Sequence, residues 1–148
     1  MAYMIIAIGI FLLDFFVKRH MDKNCVLGKK KAGFRNWIFI EKYYNKGAAL
    51  NFLEAHPKLL KKIQTALLIG VGIWFFVLMR KQEGTLQKLG GAFLIGGGGS
   101  NLFDRYTKGH VVDYLKFGFG PKWFRKLIFN ISDFFVFIGS LLTVLGQE

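Results

Sequence analysis

The sequence predicts an all-α integral membrane protein of four transmembrane helices, with a small extended, β-like segment between the first two. Three observations lead there. Of 148 residues, 53% are hydrophobic and 17 are Phe. The apolar residues gather in four long runs that hold almost no charge. The basic residues lie between the runs, where 21 Lys and Arg against 9 Asp and Glu give a net charge of +12. Length allows one domain. The single Cys25 excludes an internal disulfide framework, and Cys25, His20, His56 and His110 are too scattered for metal-ligand spacing. What remains is a choice between a basic nucleic-acid binder and a membrane protein with basic loops, and the four runs favour the membrane.

The first run, Met1–Val17, carries one charge, Asp14. Ile63–Met79 and Leu89–Phe103 carry none, and Leu127–Gly146 carries only Asp133. Crossing the hydrocarbon takes roughly 20 residues. The first two runs are at the short end and the fourth is comfortable. The third recruits Gln87 and Lys88, with Lys88 snorkelling from that end. The expected spans are therefore 1–17, 63–79, 87–104 and 127–146, in a single membrane domain over residues 1–148 with a folded first loop at 18–62. The first run does not read as a cleaved signal peptide, because it lacks a positive start and a small-residue cleavage site and holds Asp14. Within the third run, Gly96–Gly99 suits close helix contact and a distorted, cavity-lining backbone.

Four spans put both termini on one side and the connections 18–62 and 104–126 on the other. Those connections hold 12 and 6 Lys and Arg, against 3 in the 80–88 turn. Positive-inside counting alone would place the large loops in the cytoplasm, but that count weakens for folded connections. The first loop reads as folded, with Ile38–Leu53 extended and Trp37, Phe39, Tyr43, Tyr44 and Phe52 forming an interfacial platform. Charge alone leaves the sidedness open. Lys29–Lys31 reads as a solvated run that can also meet anionic headgroups.

The same topology collects the polar residues. Asp14, Lys18, Asn45, Asn101, Asp104, Arg105, Asp113, Asn130 and Asp133 all belong to one membrane face, which takes seven of the nine acids. Two carboxylates held close in low dielectric do not both ionise, so one keeps a proton. The ionised member can activate a water while the other polarises a carbonyl. Asp113 and Asp133 are the chosen pair, because Asp133 is the only charge in the fourth span and intramembrane carboxylates are functional by default. Asn130, three residues earlier, can hydrogen-bond the pair or a substrate backbone. The competing reading has Asp133 merely capping its helix. No HExxH, GxSxG or phosphate-loop ending is present.

These residues carry a resemblance to bacterial lipoprotein signal peptidase (signal peptidase II), an intramembrane aspartic endopeptidase. Asp14 and Lys18 match its first-span Asp-x-x-x-Lys, and Asn45-Lys46-Gly47-Ala48-Ala49 its Asn-x-Gly-Ala-Ala. Gly96–Gly99 with Asn101, Asp104 and Arg105 match its Gly-rich Asn-x-x-Asp-Arg. Gly109–Tyr114 and Phe129–Asp133 match the stretches that supply its two catalytic aspartates. The five motifs run in order from residue 14 to 133.

The resemblance implies cleavage of diacylglyceryl-modified prolipoproteins just before the lipidated Cys, with no cofactor or metal. It makes Asp113 and Asp133 catalytic, and gives Asn45, Asn101, Arg105 and Asn130 to substrate binding or dyad support. Asp14 with Lys18, and Asp104 with Arg105, become structural ion pairs. It also implies cytoplasmic termini, an extracytoplasmic site and folded first loop, and a monomer in the bacterial inner membrane whose partners are the precursor and membrane lipids, not nucleic acid. Departures from the pattern fall at Leu50, Asn51, Ser100 and Ser132, and the Ser132 hydroxyl is expected to hydrogen-bond Asp133. The other readings are a divergent or inactive paralogue, and a small proton or cation transporter subunit; the one-sided clustering and the lack of a repeat speak against the latter.

Overall fold

The computed structural model describes residues 1–35, 37–48, 53–82 and 84–147. In chain order the elements are α1 (Ala2–Asn24), β1 (Lys30–Ala32), β2 (Ile38–Asn45), α2 (Pro57–Met79), α3 (Thr85–Thr107), β3 (Val111–Phe117), β4 (Ile128–Phe129) and α4 (Ile131–Leu145). A 3-10 turn, Phe124–Lys126, precedes β4.

The helices do not stop where the apolar runs do. α1 continues past Val17 through Lys18–Asn24, and α2 begins at Pro57, where a proline at the first helical position loses no hydrogen bond. Lys, Arg and Gln are good helix formers, so helix outlasts hydrophobicity at these ends. The fourth run behaves oppositely. Ile128 and Phe129 pair with Lys116 and Leu115 of β3, and helix starts only at Ile131. Its 15 residues span about 22 Å, which is shorter than the sequence led us to expect. Among the described residues α2 alone is long and apolar enough to cross a membrane by length and composition.

The sheet also exceeds the expectation. All four strands pair antiparallel in the order β1-β2-β3-β4. Two come from the connection after α1 and two from the connection after α3, so the sheet joins both loops. β2 ends at Asn45. Residues 49–52 of the expected extended stretch, with Leu50, Asn51 and Phe52, lie outside the described residues. Pairing of β2 with β3 shifts between Ile40 and Tyr43: Ile40 faces Leu115, but Tyr43 faces Asp113 and Asn45 faces Val111. The extra residue is a bulge on β2. Because strand side chains alternate in face, it turns Asn45 onto the face that carries Asp113.

α3 is the central helix, packed against the other three. Its glycines explain how. A Cβ on Gly96 would lie 2.6 Å from the Ala7 carbonyl of α1, and one on Gly97 2.7 Å from the Ser132 carbonyl of α4. A Cβ on Gly90 would meet the Gly139 carbonyl at 2.7 Å. The run is thus packing surface, as expected, but its backbone is continuous α-helix and not distorted. Lys88 does not snorkel. It is buried, and its Nζ donates to the Lys81 and Gln82 carbonyls, closing the end of α2.

The distribution of polarity is the reverse of a water-soluble domain. The most enclosed side chains include Asp14, Lys18, Asp104, Asp113, Asn130 and Ser132. Ile5, Leu67, Ile73, Phe76, Phe137 and Val144 face outward.

Gly97→Ala is expected to destabilise the helix bundle by about 1–3 kcal/mol through overpacking against α4. Gly99→Ala, whose added Cβ would meet only Phe11 at 3.7 Å, should be neutral or stabilising. Thermal unfolding of both variants in detergent checks the contrast.

Candidate active site

Three elements bring the polar residues to one end of the bundle. α1 presents Asp14 and Lys18 four residues apart on one face; α3 presents Ser100, Asn101, Asp104 and Arg105 from its last two turns. The third element is the junction of β4 with α4, where Asn130 is the N-cap. Its Oδ1 accepts the Asp133 backbone N–H at 3.0 Å, and Asp133 Oδ2 accepts the Asn130 N–H at 2.9 Å. This capping box fixes Asp133 in the first turn of α4. Helix capping by Asp133 is therefore real, but it uses only one carboxylate oxygen.

The other side of Asn130 reaches Asp113. Asn130 Nδ2 donates to Asp113 Oδ1 at 2.7 Å and to Asn101 Oδ1 at 3.1 Å. Asn45 Nδ2 donates to Asp113 Oδ2 at 2.9 Å, and Asn101 Nδ2 to Asp133 Oδ1 at 3.0 Å. One asparagine thus touches both carboxylates, and two more hold one each. Asp113 is almost fully buried, whereas Asp133 keeps partial exposure. Burial first, and the neighbouring Asp133 carboxylate second, push Asp113 up to about 7; the amides of Asn45 and Asn130 oppose the rise.

Next to the pair, across Asn101, lies a buried cation. Lys18 Nζ is 2.6 Å from Asp14 Oδ2 and 3.6 Å from Asp104 Oδ2, and it donates to Asn101 Oδ1 at 2.7 Å. Ser100 Oγ donates to Asp14 Oδ2 at 2.6 Å. The serine that departs from the motif has a partner here. Ser132 is different: its N–H donates to Asp14, while its Oγ is buried with no partner among the described residues. The expected bond from the Ser132 hydroxyl to Asp133 is not formed: the two are successive residues of α4, whose side chains point about 100° apart.

The expected Asp104–Arg105 pair is also replaced. Neighbours on a helix point about 100° apart, so they diverge. Asp104 pairs with Lys18 and, at 3.2 Å, with Lys108, and accepts the Val112 N–H. Arg105 donates instead to the Lys46 and Gly47 carbonyls, which fastens the segment after Asn45 against α3. All nine residues singled out from sequence therefore gather at this end.

Sequence reasoning missed a second node. Asp22 accepts from Tyr44 Oη at 2.7 Å and lies near Lys42 and Lys108, tying α1 to β2 and α3. The signal was present, since Asp14, Lys18 and Asp22 form one i, i+4, i+8 stripe. His110 packs against Tyr44 at a tilt of 39° with ring centres 4.0 Å apart, and burial lowers its proton affinity. Among the described residues no three His, Cys, Asp or Glu side chains gather as metal ligands would.

The family model described as signal peptidase (SPase) II matches residues 6–147. A lipoprotein signal peptidase of Neisseria gonorrhoeae is 31% identical over 146 residues, covering 98% of this chain and 88% of the relative. One from Wigglesworthia glossinidia brevipalpis is 29% identical, covering 97% and 92%. In fold, the chain is similar to a bacterial membrane enzyme solved at 2.3 Å resolution, with a TM-score of 0.87 and 24% identity over 99% of this chain and 87% of that one.

Lys18→Met should strip Asp14 of its cation and destabilise the fold by about 3–5 kcal/mol, the range for breaking a buried pair. Lys18→Met combined with Asp14→Asn should recover part of that loss, read as unfolding temperature in detergent.

Proposed function

The chain belongs to the signal peptidase II family, and on that premise we propose that it is an intramembrane aspartic endopeptidase. Its substrate is a diacylglyceryl-modified prolipoprotein, cut just before the lipidated Cys to release the signal peptide. The observation that carries this reading is Asn130, which holds Asp113 through its side-chain amide and Asp133 through its backbone N–H. A single residue sets the spacing of two carboxylates that share one proton.

One proton between two carboxylates divides the roles. Asp113, enclosed and raised to about 7, keeps the proton and donates it to the scissile carbonyl oxygen. With the shared proton on Asp113, Asp133 is the ionised member and takes a proton from the attacking water. The tetrahedral intermediate then collapses, with the proton on Asp133 passing to the leaving nitrogen and Asp113 recovering its own. Peptide and water become carboxylic acid and amine with no electron donor or metal in the balance. Asn45 has a buried Oδ1 without a partner among the described residues, an acceptor for a substrate N–H. Asn101 orients Asp133, and Arg105 acts through the segment carrying Asn45. Asp14, Lys18 and Asp104 brace the helices.

The reading places α1 to α4 across the bacterial cell membrane, with both termini cytoplasmic and the dyad toward the extracytoplasmic side, in a monomer. Apolar side chains on the outer faces of all four helices support it, including Leu12, Leu67, Phe103 and Leu141. The short α4 fits if the bilayer thins beside it or the sheet lies at the membrane surface. Membrane lipids and the precursor helix are the partners, and the substrate's own acyl chains stay in the bilayer.

Asp113→Asn and Asp133→Asn should each lower cleavage of a diacylglyceryl-modified precursor by about 10²–10⁴-fold while far-UV circular dichroism is unchanged. Release of signal peptide on a gel checks this, and turnover by either variant near the wild-type rate overturns the dyad. Below pH 7 Asp113 holds its proton; as pH rises through about 7 the proton is lost and kcat/KM should fall, with the apparent value belonging to the pair. Ser132→Ala should leave that profile in place, since its hydroxyl touches neither aspartate.

A further inference from the structure

Beyond the dyad, we propose that the sheet and the turn after β3 form a binding site for the phosphodiester headgroup of an anionic phospholipid. The inference rests on the membrane placement given above. A groove of about 460 Å³ opens at the sheet, and five of the side chains that line it are Lys30, Lys116, Lys122, Arg125 and Lys126. Glu41 neutralises one of them, accepting from Lys116 Nζ at 2.8 Å. The other four have no ion-pair partner among the described residues and are exposed. Lys30 lies over the Phe39 ring at 3.5 Å, which fixes its ammonium at the groove wall.

Position adds to charge. Arg125 and Lys126 sit on the 3-10 turn just before β4, and β4 leads directly into α4, so the groove adjoins a helix that enters the bilayer. Around it, Trp37, Phe119 and Trp123 are exposed, and Trp37 packs on Phe119 with ring centres 6.2 Å apart. Exposed tryptophans beside a helix end are the residues that settle at the headgroup level. A cationic groove with an aromatic rim at that depth meets phosphate: Arg125 offers a fork to two phosphate oxygens, and the lysines supply point charges. A zwitterionic lipid brings its own ammonium and gains less, so the site should select by net headgroup charge.

The site also accounts for the charge distribution. The two connections hold 18 of the 21 Lys and Arg, on the side where positive-inside counting would not put them. Anionic lipid of the outer leaflet gives those charges a counterion.

The test uses full-length protein in nonionic detergent, given equal amounts of phosphatidylglycerol and phosphatidylcholine with identical acyl chains. Lipid retained through gel filtration is measured by mass spectrometry. Wild type should enrich phosphatidylglycerol by about tenfold, and Lys122→Gln/Arg125→Gln/Lys126→Gln should bring the ratio close to unity, as should salt at about 0.5 M. Lys58→Gln/Lys61→Gln/Lys62→Gln, which alters a basic cluster at the start of α2, should keep the enrichment. No enrichment by wild type, enrichment surviving in the turn variant, or loss confined to the α2 variant would each overturn the site. Full displacement of the lipid by millimolar inorganic phosphate would overturn it too, in favour of a free-anion site. Precursor cleavage in phosphatidylcholine micelles runs in parallel and should persist in the turn variant, which establishes that it is folded. Enrichment without cleavage by wild type would remove the peptidase reading and leave the lipid site standing.

Discussion

A lysine ammonium sealed from water holds only if carboxylates and hydroxyls replace its hydration, and Lys18 is placed under that constraint. Its three hydrogens face Asp14, Asn101, Ser100 and Asp104, which come from two helices. Moving α1 or α3 by a fraction of a turn would leave a buried charge without partners, so the pair locks in one relative rotation. The glycines of α3 bring the backbones close enough for that contact to close. Asn101 then carries the order onward, accepting from Lys18 and donating to Asp133. The Asp133 carboxylate is thereby registered to a cation that is sealed from solvent.

The arrangement separates two demands that ordinarily conflict. The proposed dyad sits at the end of the bundle, where Asp113 and Asp133 meet the Asn130 N-cap. Groups that stay paired with an opposite charge sit beside them, with Lys18 within 4 Å of both Asp14 and Asp104. For Asp113 the largest influences are its burial and the neighbouring Asp133 carboxylate, with Lys18 among the groups that oppose the rise. Amide side chains, which carry no charge, do the connecting. Asn45, Asn101 and Asn130 donate to the carboxylates without adding a net charge to the site, a property that Lys or Asp at the same places would not give.

Most of this site was legible before any coordinates. Asp133 stood out as a lone charge in an apolar run, and Asn130 three residues before it suggested a contact that proved to be a capping box. What the chain did not reveal was partner choice. Arg105 follows Asp104 in sequence, but helix geometry sends them to different neighbours, and the carbonyls of Lys46 and Gly47 carry no sequence signature as acceptors. Apolar windows located the helices yet misjudged their ends, because hydrogen bonding continues where hydrophobicity stops and, at Ile128–Phe129, strand pairing competes with helix. The sheet was half visible. The extended reading of Ile38–Leu53 marked one strand, but its partner β3 lay about 70 residues away, and pairing at that distance leaves no local trace.

The bulge between Ile40 and Tyr43 has a consequence for how this architecture can vary. One additional residue on β2 decides which side of the strand Asn45 occupies, and so whether Asp113 receives that amide. Segment length upstream of Asn45 is therefore governed by parity within the paired strand. Losing or gaining one residue there would swap the inside and outside faces of the final turn of the strand, while a change of two would restore them. Loop grafts between such proteins that ignore this odd-even rule would preserve every motif residue and still disconnect the asparagine from its aspartate.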